Sequence, residues 1–407
     1  MFDLLLTTPK LFDGQAVLQD QSVAIADGRF AWVGPTAQAP AARQVIQSPG
    51  TMLPGLIDLH FHHFLLLDPA ATSAAKDVSL DRPPLVAVKI FKAAWAAKCW
   101  LESGVTTVRD AGAPDYLAVA MREAIEEGWT PGPRVFASGP LIAQTGGLRP
   151  GNEDHAVEIT GEVEARREAR LQLQAGVDVL KIYGASNIGG GGGRLIGPPG
   201  WTQLSEPEIR AVVEEAHKAG RLASAHSVSA QSIRNAVLAG VDWVDHADFL
   251  DDQIIDLLLE HDTLIVPTQA ISWSLFTYGE EMGFGKFLPV KAKQMFDQAQ
   301  EKLIRAHQAG VRMAAGTDAD NPRASIAKEC ELFTQIGMTP VQALTAATTT
   351  AAAALHQASE LGSISVGKVA DLLLVGGDPT ERITDLTKVE TVVKAGAVVH
   401  TAPGKAA

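Results

Sequence analysis

The residues that could do chemistry in this chain gather in a few short runs. The first is PGLIDLHFHH at 54–63, where His60 and His62 stand two apart. A β-strand sends alternate side chains to opposite faces, so Leu56, Asp58, His60 and His62 share one face, with the two imidazoles at its end. Such a pair supplies half of a metal site; taken alone it also reads as a surface pair or as satisfied core groups. Candidate partners follow downstream: Lys181 in VLKIYG, His226 in SAHS, His246 in VDHAD and Asp318 in GTDAD. Cys99 and Cys330 are the only cysteines, too few for a thiolate cage, so metal chemistry here would use nitrogen and oxygen ligands.

These runs end segments that read as strands, at 56–61, 105–109, 134–138, 177–183, 222–226, 243–246, 263–267 and 311–317. Helical spacing fills the gaps, for example at 206–219, 230–239, 251–260 and 291–309, and Gly176, Gly220, Gly240 and Gly310 stand where a helix would end. Strand and helix in alternation mean parallel β/α units, and eight strands are what a closed barrel needs. His60, His62, Lys181, His226, His246 and Asp318 would then converge on the C-terminal mouth, where sites on that fold sit. His217, His261 and His307 fall in or at the ends of expected helices, and His63 points off the His60/His62 face.

Outside this region the pattern is antiparallel. Short apolar runs at 2–6, 22–25, 30–33 and 44–46 alternate with turns, including Asp-Gly at 13–14 and 27–28. Strand-like runs return at 370–375 and 391–399. The expected fold is therefore α/β: a (β/α)8 TIM-like barrel over 55–357, with a small β-sandwich domain built from both chain termini, 1–54 plus 358–407.

A chain of 407 residues with 46% hydrophobic and 20% charged residues has ample material for such a core. The net charge of −13 repels phosphate backbones, which argues against nucleic acid. The start lacks a basic leader and no stretch reaches about 18 uninterrupted apolar residues, so a cytoplasmic protein with no membrane contact is expected. The sequence leaves a homo-oligomer open.

The ordered set HxH, Lys, His, His and Asp on eight strands resembles the amidohydrolase superfamily, specifically its binuclear members. The passage ELFTQIGMTPVQALTAATTTAAAALHQASELGSISVGKVADLLLVGGDP resembles the imidazolonepropionase-like and prolidase-like branch, and the likeness covers residues 1 to about 400. It implies that His60, His62 and Asp318 bind one divalent ion and His226 and His246 a second. Lys181 would bridge both as N6-carboxylysine, since a free ammonium beside two dications is repelled while a carbamate is a bidentate anion. Zinc suits these ligands, though manganese, cobalt or iron would also fit. A hydroxide bridging the metals would attack the amide carbonyl, with Asp318 as proton shuttle.

Lys181 and the absence of a glutamate after His226 favour amide hydrolysis over a deaminase or cyclic-amidine hydrolase of the same fold. A non-catalytic scaffold is disfavoured because all six positions hold competent ligands. The partner is then a small-molecule amide. An Xaa-Pro dipeptidase is the main alternative, but Leu148 replaces the histidine of the branch's TGGHG loop, and Ser227-Val228 stand where a tyrosine is often found. Tyr183, Arg149 and His155 are candidate substitutes for a carboxylate clamp. Against such a clamp, Leu148, Val228 and an aromatic stretch at 271–288 suggest a pocket suited to an apolar or aromatic amide. The glycine run at 189–193, followed by Arg194, reads as a lid rather than a phosphate loop.

Overall fold

The computed structural model describes residues 1–63, 86–147, 155–186, 201–282, 285–319 and 324–404. The punctuated N-terminal runs form β1 (Phe2–Phe12), β2 (Val17–Ala26), β3 (Arg29–Pro35), β4 (Ala42–Gln47) and β5 (Thr51–Pro54). Both Asp-Gly pairs turn antiparallel hairpins, β1 to β2 and β2 to β3. At the second, Asp27 and Gly28 take φ of 51° and 74°, the left-handed pair a two-residue turn requires. The unit is not wholly antiparallel, contrary to the alternating pattern. The other edge of β1 takes β4 along Phe2 to Thr7 and β5 at Lys10 and Leu11, both parallel. Between β4 and β5 the chain steps through Pro49-Gly50, and a Cβ on Gly50 would lie 1.8 Å from Val375 O, so only glycine fits.

The middle of the chain alternates strand and helix. Its strands are β6 (Leu56–Phe61), β7 (Val105–Asp110), β8 (Arg134–Phe136), β9 (Leu141–Gln144), β10 (Ala156–Ile159), β11 (Val179–Tyr183), β12 (Leu222–Ser227), β13 (Trp243–His246) and β14 (Leu264–Val266). Its helices are α1 (Val86–Glu102), α2 (Leu117–Glu126), α3 (Gly161–Gln174), α4 (Glu206–Lys218), α5 (Ala230–Ala239), α6 (Asp252–Glu260), α7 (Gln269–Tyr278), α8 (Phe287–Ala309), α9 (Ile326–Gln335), α10 (Pro340–Ala346) and α11 (Thr349–Ala354). Gly176, Gly220, Gly240 and Gly310 all have positive φ, as helix-ending glycines do. Two parallel sheets result, β6-β7-β8 and β10-β9-β11-β12-β13-β14. Parallel bridges join Ser138 to Val179, Ile265 to Met313 and Phe61 to Ala319.

The segment at 311–317 is not a regular strand. Ala314 N donates to Ile265 O and Leu59 N to Ala315 O, as in a ladder. Two amides are diverted, however: Ala315 N bonds Ala346 O, and Thr317 N bonds the Asp58 side chain at 3.0 Å. Between them Gly316 lies so close to β6 that a Cβ would meet His60 N at 2.9 Å. The short strands β9 and β10 went unanticipated, because four residues are too few for alternation to stand out.

Alternation along the strands separates two environments. On β11, Leu180 and Ile182 join the large core packed by the helices, whereas Val179 joins Ile57, Leu59, Leu222, Trp243, Leu264 and Val266 in a second apolar cluster. Lys181 and Tyr183 continue the face of Val179, Ser224 and His226 that of Leu222, and Asp245 that of Trp243. An apolar floor thus carries a polar layer above it. The chain then returns as β15 (Leu372–Val375), β16 (Val389–Lys394) and β17 (Ala397–Thr401), which complete the first sheet in the order β17-β16-β15-β5-β1-β2-β3, with β4 on β1. Both termini therefore share one sheet. Among the described residues no helix is long and apolar enough to cross a membrane.

Candidate active site

His60 and His62 leave the end of β6 and meet Asp318: His62 Nε2 lies 3.2 Å and His60 Nε2 3.5 Å from Asp318 Oδ1. One ligand atom from each of the three lies within 4.8 Å of the others. The backbone forces this meeting, for Asp318 takes φ 51° and its N–H donates to His60 O. His62 Nδ1 faces Gly112 O at 3.3 Å, which turns Nε2 toward Asp318. His63 turns elsewhere, its Nδ1 2.8 Å from Asp110 Oδ2 on β7.

The shared face expected for Asp58 and His60 is not kept. Pairing of β6 with β7 slips between Asp58 and Phe61, and Asp58 accepts instead from Trp100 Nε1 of α1 at 3.1 Å, Thr317 Oγ1 at 2.7 Å and His60 N at 3.1 Å. Asp58 thereby ties β6, α1 and the segment carrying Asp318 together. Its carboxyl is raised to about 6 by burial, against these donors.

His226 and His246 end β12 and β13 with ring centroids 4.3 Å apart, and the His246 ring lies 4.9 Å from that of His60. The chain leaves β13 in the left-handed region at His246 and Ala247, with φ 73° and 58°. His246 Nδ1 meets Thr268 Oγ1 at 2.7 Å. Thr268 itself sits at φ 51°, which for a β-branched residue costs on the order of 1–3 kcal/mol.

Lys181 is buried in the layer below, its ammonium bonded to Asp245. Sequence reasoning missed Asp245, which is the hub of that layer. It accepts from Ser224 Oγ at 3.2 Å and Trp243 Nε1 at 3.1 Å, and lies 3.6 Å from the Arg109 guanidinium and 3.0 Å from His60 Nδ1. Arg109, also missed and fully buried, donates to Ser224 Oγ. The usable signal was a charged side chain within a strand set between parallel neighbours: Arg109 in VTTVRD, and Asp245 two residues after Trp243.

Electrostatics set the protonation states. Burial pushes His60 down to about 4 and His246 to about 3, and holds His226 well below its usual value. Burial likewise lowers Lys181 to about 8, with Arg109 acting in the same direction and Asp245 opposing. For Asp318 burial acts upward, but the surrounding imidazoles win and hold its carboxyl far below the usual range. Neutral imidazoles and an ionised carboxylate are the forms that ligate metals. A lysine near 8 has its amine form within reach at neutral pH, and the amine is the form that adds carbon dioxide.

The donor set fits divalent cations. His226 Nε2 is buried with no hydrogen-bond partner among the described residues, and His62 and His246 have their Nδ1 atoms engaged, which frees Nε2 for ligation. Of the substrate candidates, Tyr183 joins the cluster, its ring stacked on His226 at 4.6 Å and 22°. Val228 follows β12 as a buried residue whose carbonyl accepts from Phe249 N. His155 heads β10, two strands from Lys181. Leu148, Arg149, Arg194, the glycines at 189–193 and Phe284 of the aromatic stretch lie outside the described residues. On α7 the aromatics pack: Trp273 lies under Lys328 Nζ at 4.4 Å and Phe276 meets Phe296 of α8 at 5.1 Å.

A family model described as Amidohydrolase family matches residues 51–399. Ochratoxinase from Aspergillus niger is 27% identical over 422 residues, covering 96% of this chain and 85% of its own. Imidazolonepropionase from Cutibacterium acnes is 27% identical over 386 residues, covering 88% of this chain and 84% of its own. A solved structure of an Xaa-Pro dipeptidase with methionine bound in its active site is 27% identical, with a TM-score of 0.85 over 98% of this chain and 100% of that one.

Proposed function

From the premise that this chain belongs to the amidohydrolase family, we propose that it hydrolyses the carbon–nitrogen bond of a small amide, whether peptide-like, N-acyl amino acid or aryl amide. The observation that carries this reading is the meeting of His60, His62 and Asp318 beside the His226/His246 pair, above buried Lys181. We take residues 55–357 as a closed (β/α)8 barrel. The run of parallel pairings from β6 through β8, β11 and β14 to Met313, and from Ala319 back to Phe61, supports this. Residues 1–54 and 358–407 would form the small β domain.

His60, His62 and Asp318 would hold one divalent ion and His226 and His246 another, with Lys181 bridging as N6-carboxylysine; zinc suits the set. When bound, such ions make water acidic enough to attack at neutral pH and polarise a carbonyl oxygen. This chain's residues supply the rest. Asp318 accepts the proton lost by the attacking water and returns it to the departing nitrogen. Thr268 and Gly112 O orient the rings of His246 and His62. The Lys181 amine forms its N–C bond to carbon dioxide with loss of one proton, and Arg109 remains to balance Asp245. Tyr183, stacked on His226, would flank the substrate.

Two measurements test the reading together. Elemental analysis of metal-replete protein should give about two divalent ions per chain; one or none would defeat the binuclear reading. An N-acyl aromatic amino acid should release the free amino acid, whereas release of ammonia from a cyclic or amidine substrate instead would move the protein to the deaminase class. The Xaa-Pro dipeptidase reading stands second, favoured by likeness to the methionine-bound dipeptidase.

A further inference from the structure

Thr268 occupies the N-cap position of α7 but does not cap it. Side chains at this position ordinarily accept from first-turn amides. Ser229, Asp251 and Ser325 do so at the heads of α5, α6 and α9. Thr268 makes no such bond, and its hydroxyl meets His246 Nδ1 instead. The first-turn amides of α7 are satisfied from another element. Glu329 of α9, wholly buried, accepts from Gln269 N through Oε1 at 3.0 Å and from Ala270 N through Oε2 at 2.6 Å.

We propose that Glu329 is a positioning residue for the candidate metal centre: by capping α7 from outside, it holds Thr268 in its left-handed turn with the hydroxyl free to fix the His246 ring. The inference rests on the reading of His246 as a ligand. Its physical basis is cost. Burial pushes the Glu329 carboxyl up to about 8, and two backbone donors at a helix N-terminus only partly offset this. A β-branched residue at positive φ persists only where its surroundings over-determine it. α7 alone needs neither expense, since an ordinary Thr268 cap would serve it. What the arrangement gains is a hydroxyl on Nδ1, which selects the tautomer whose Nε2 is the donor. Gln269 is fixed as well, its side chain accepting from Gln300 of α8 at 3.1 Å, so the turn is gripped from two helices.

The test is titration of metal-free protein with Co2+, read by visible absorption, for wild type, Glu329→Gln, Thr268→Val and the double variant. Gln keeps the shape but sets an NH2 against a backbone N–H; Val removes only the hydroxyl. One of the two Co2+ sites should lose about tenfold or more in affinity in both single variants while the other keeps its own. The double variant should be no weaker than the worse single, as residues on one path are not additive. Wild-type affinity at both sites in Glu329→Gln would overturn the proposal, even with a lowered thermal midpoint, because a merely structural cap would do that alone. If wild type binds fewer than two Co2+, the metal reading fails, and nitrogen NMR of labelled histidines in metal-free protein decides the matter. A His246 ring signal displaced alike in Glu329→Gln and Thr268→Val supports the coupling; an unmoved one in Glu329→Gln overturns it.

Discussion

In the proposed role, Asp318 would combine two demands that usually conflict, to ligate and also to carry a proton. Its carboxylate lies 3.2 Å from His62 Nε2, and Asn would keep that shape while removing the charge and the base. Turnover of Asp318→Asn should fall by about 10²–10⁴, with an unchanged circular dichroism spectrum. Near-normal turnover would remove Asp318 from the mechanism and direct attention to Asp320. The proposed substrate preference is also tested at single residues. If Leu148 and Val228 stand in for the polar groups that the resemblance implies in dipeptidases, an N-acyl aromatic amino acid and its carboxamide should be cleaved with kcat/KM values within about tenfold, or 1.4 kcal/mol. A larger loss on removing the carboxylate would mean that a clamp exists, with Arg149 the first group to replace.

Helices α3 and α4 are joined by charge rather than by apolar contact alone. Arg170 of α3 grips Glu215 of α4 with two bonds, at 2.9 and 2.8 Å, and Arg166 adds a third contact at 3.4 Å. Arg170 in particular pulls the Glu215 carboxyl from its ordinary 4.5 down to about 2. The folded value lies below the unfolded one, so this contribution is complete above about pH 4.5 and disappears as the pH falls toward about 2. Arg170 is 62% exposed, and water screens the pair to no more than about 1 kcal/mol. Glu215→Gln should therefore flatten the loss of thermal stability between about pH 5 and pH 3, and an unchanged acid slope would assign that loss to other carboxylates. Elements of this length were legible beforehand. The helix at 230–239 matches α5 to the residue and the strand at 56–61 matches β6, because period and punctuation are local properties. What alternation could not supply was the rotation of Asp58 toward Trp100, which follows from a slip in pairing with a strand about fifty residues away. Asp245 was hidden for a related reason: a buried carboxylate is tolerable only beside Arg109, Ser224 and Lys181, and those come from three other strands.

At the scale of the molecule, the catalytic candidates and the terminal sheet are linked through β5. β15 lies between β5 and β16, pairing Leu372 with Pro54 at the very residue from which the chain enters β6. A chain ended at residue 370 keeps every candidate ligand but leaves β5 unpaired along this edge. It should show early trypsin cleavage within residues 1–54 and lose bound metal; resistance equal to that of the full chain would show that the sheet is dispensable. The same pairing also sets a timetable. A ribosome adding about 5–20 residues per second needs roughly 15–60 s to travel from Pro54 to Leu372, and throughout that interval β5 waits with one edge open. β1 to β5 are thus made well before β15 completes their sheet, and the edge of β5 left open in the meantime is short and ends in Pro54, which has no N–H to offer a stray strand.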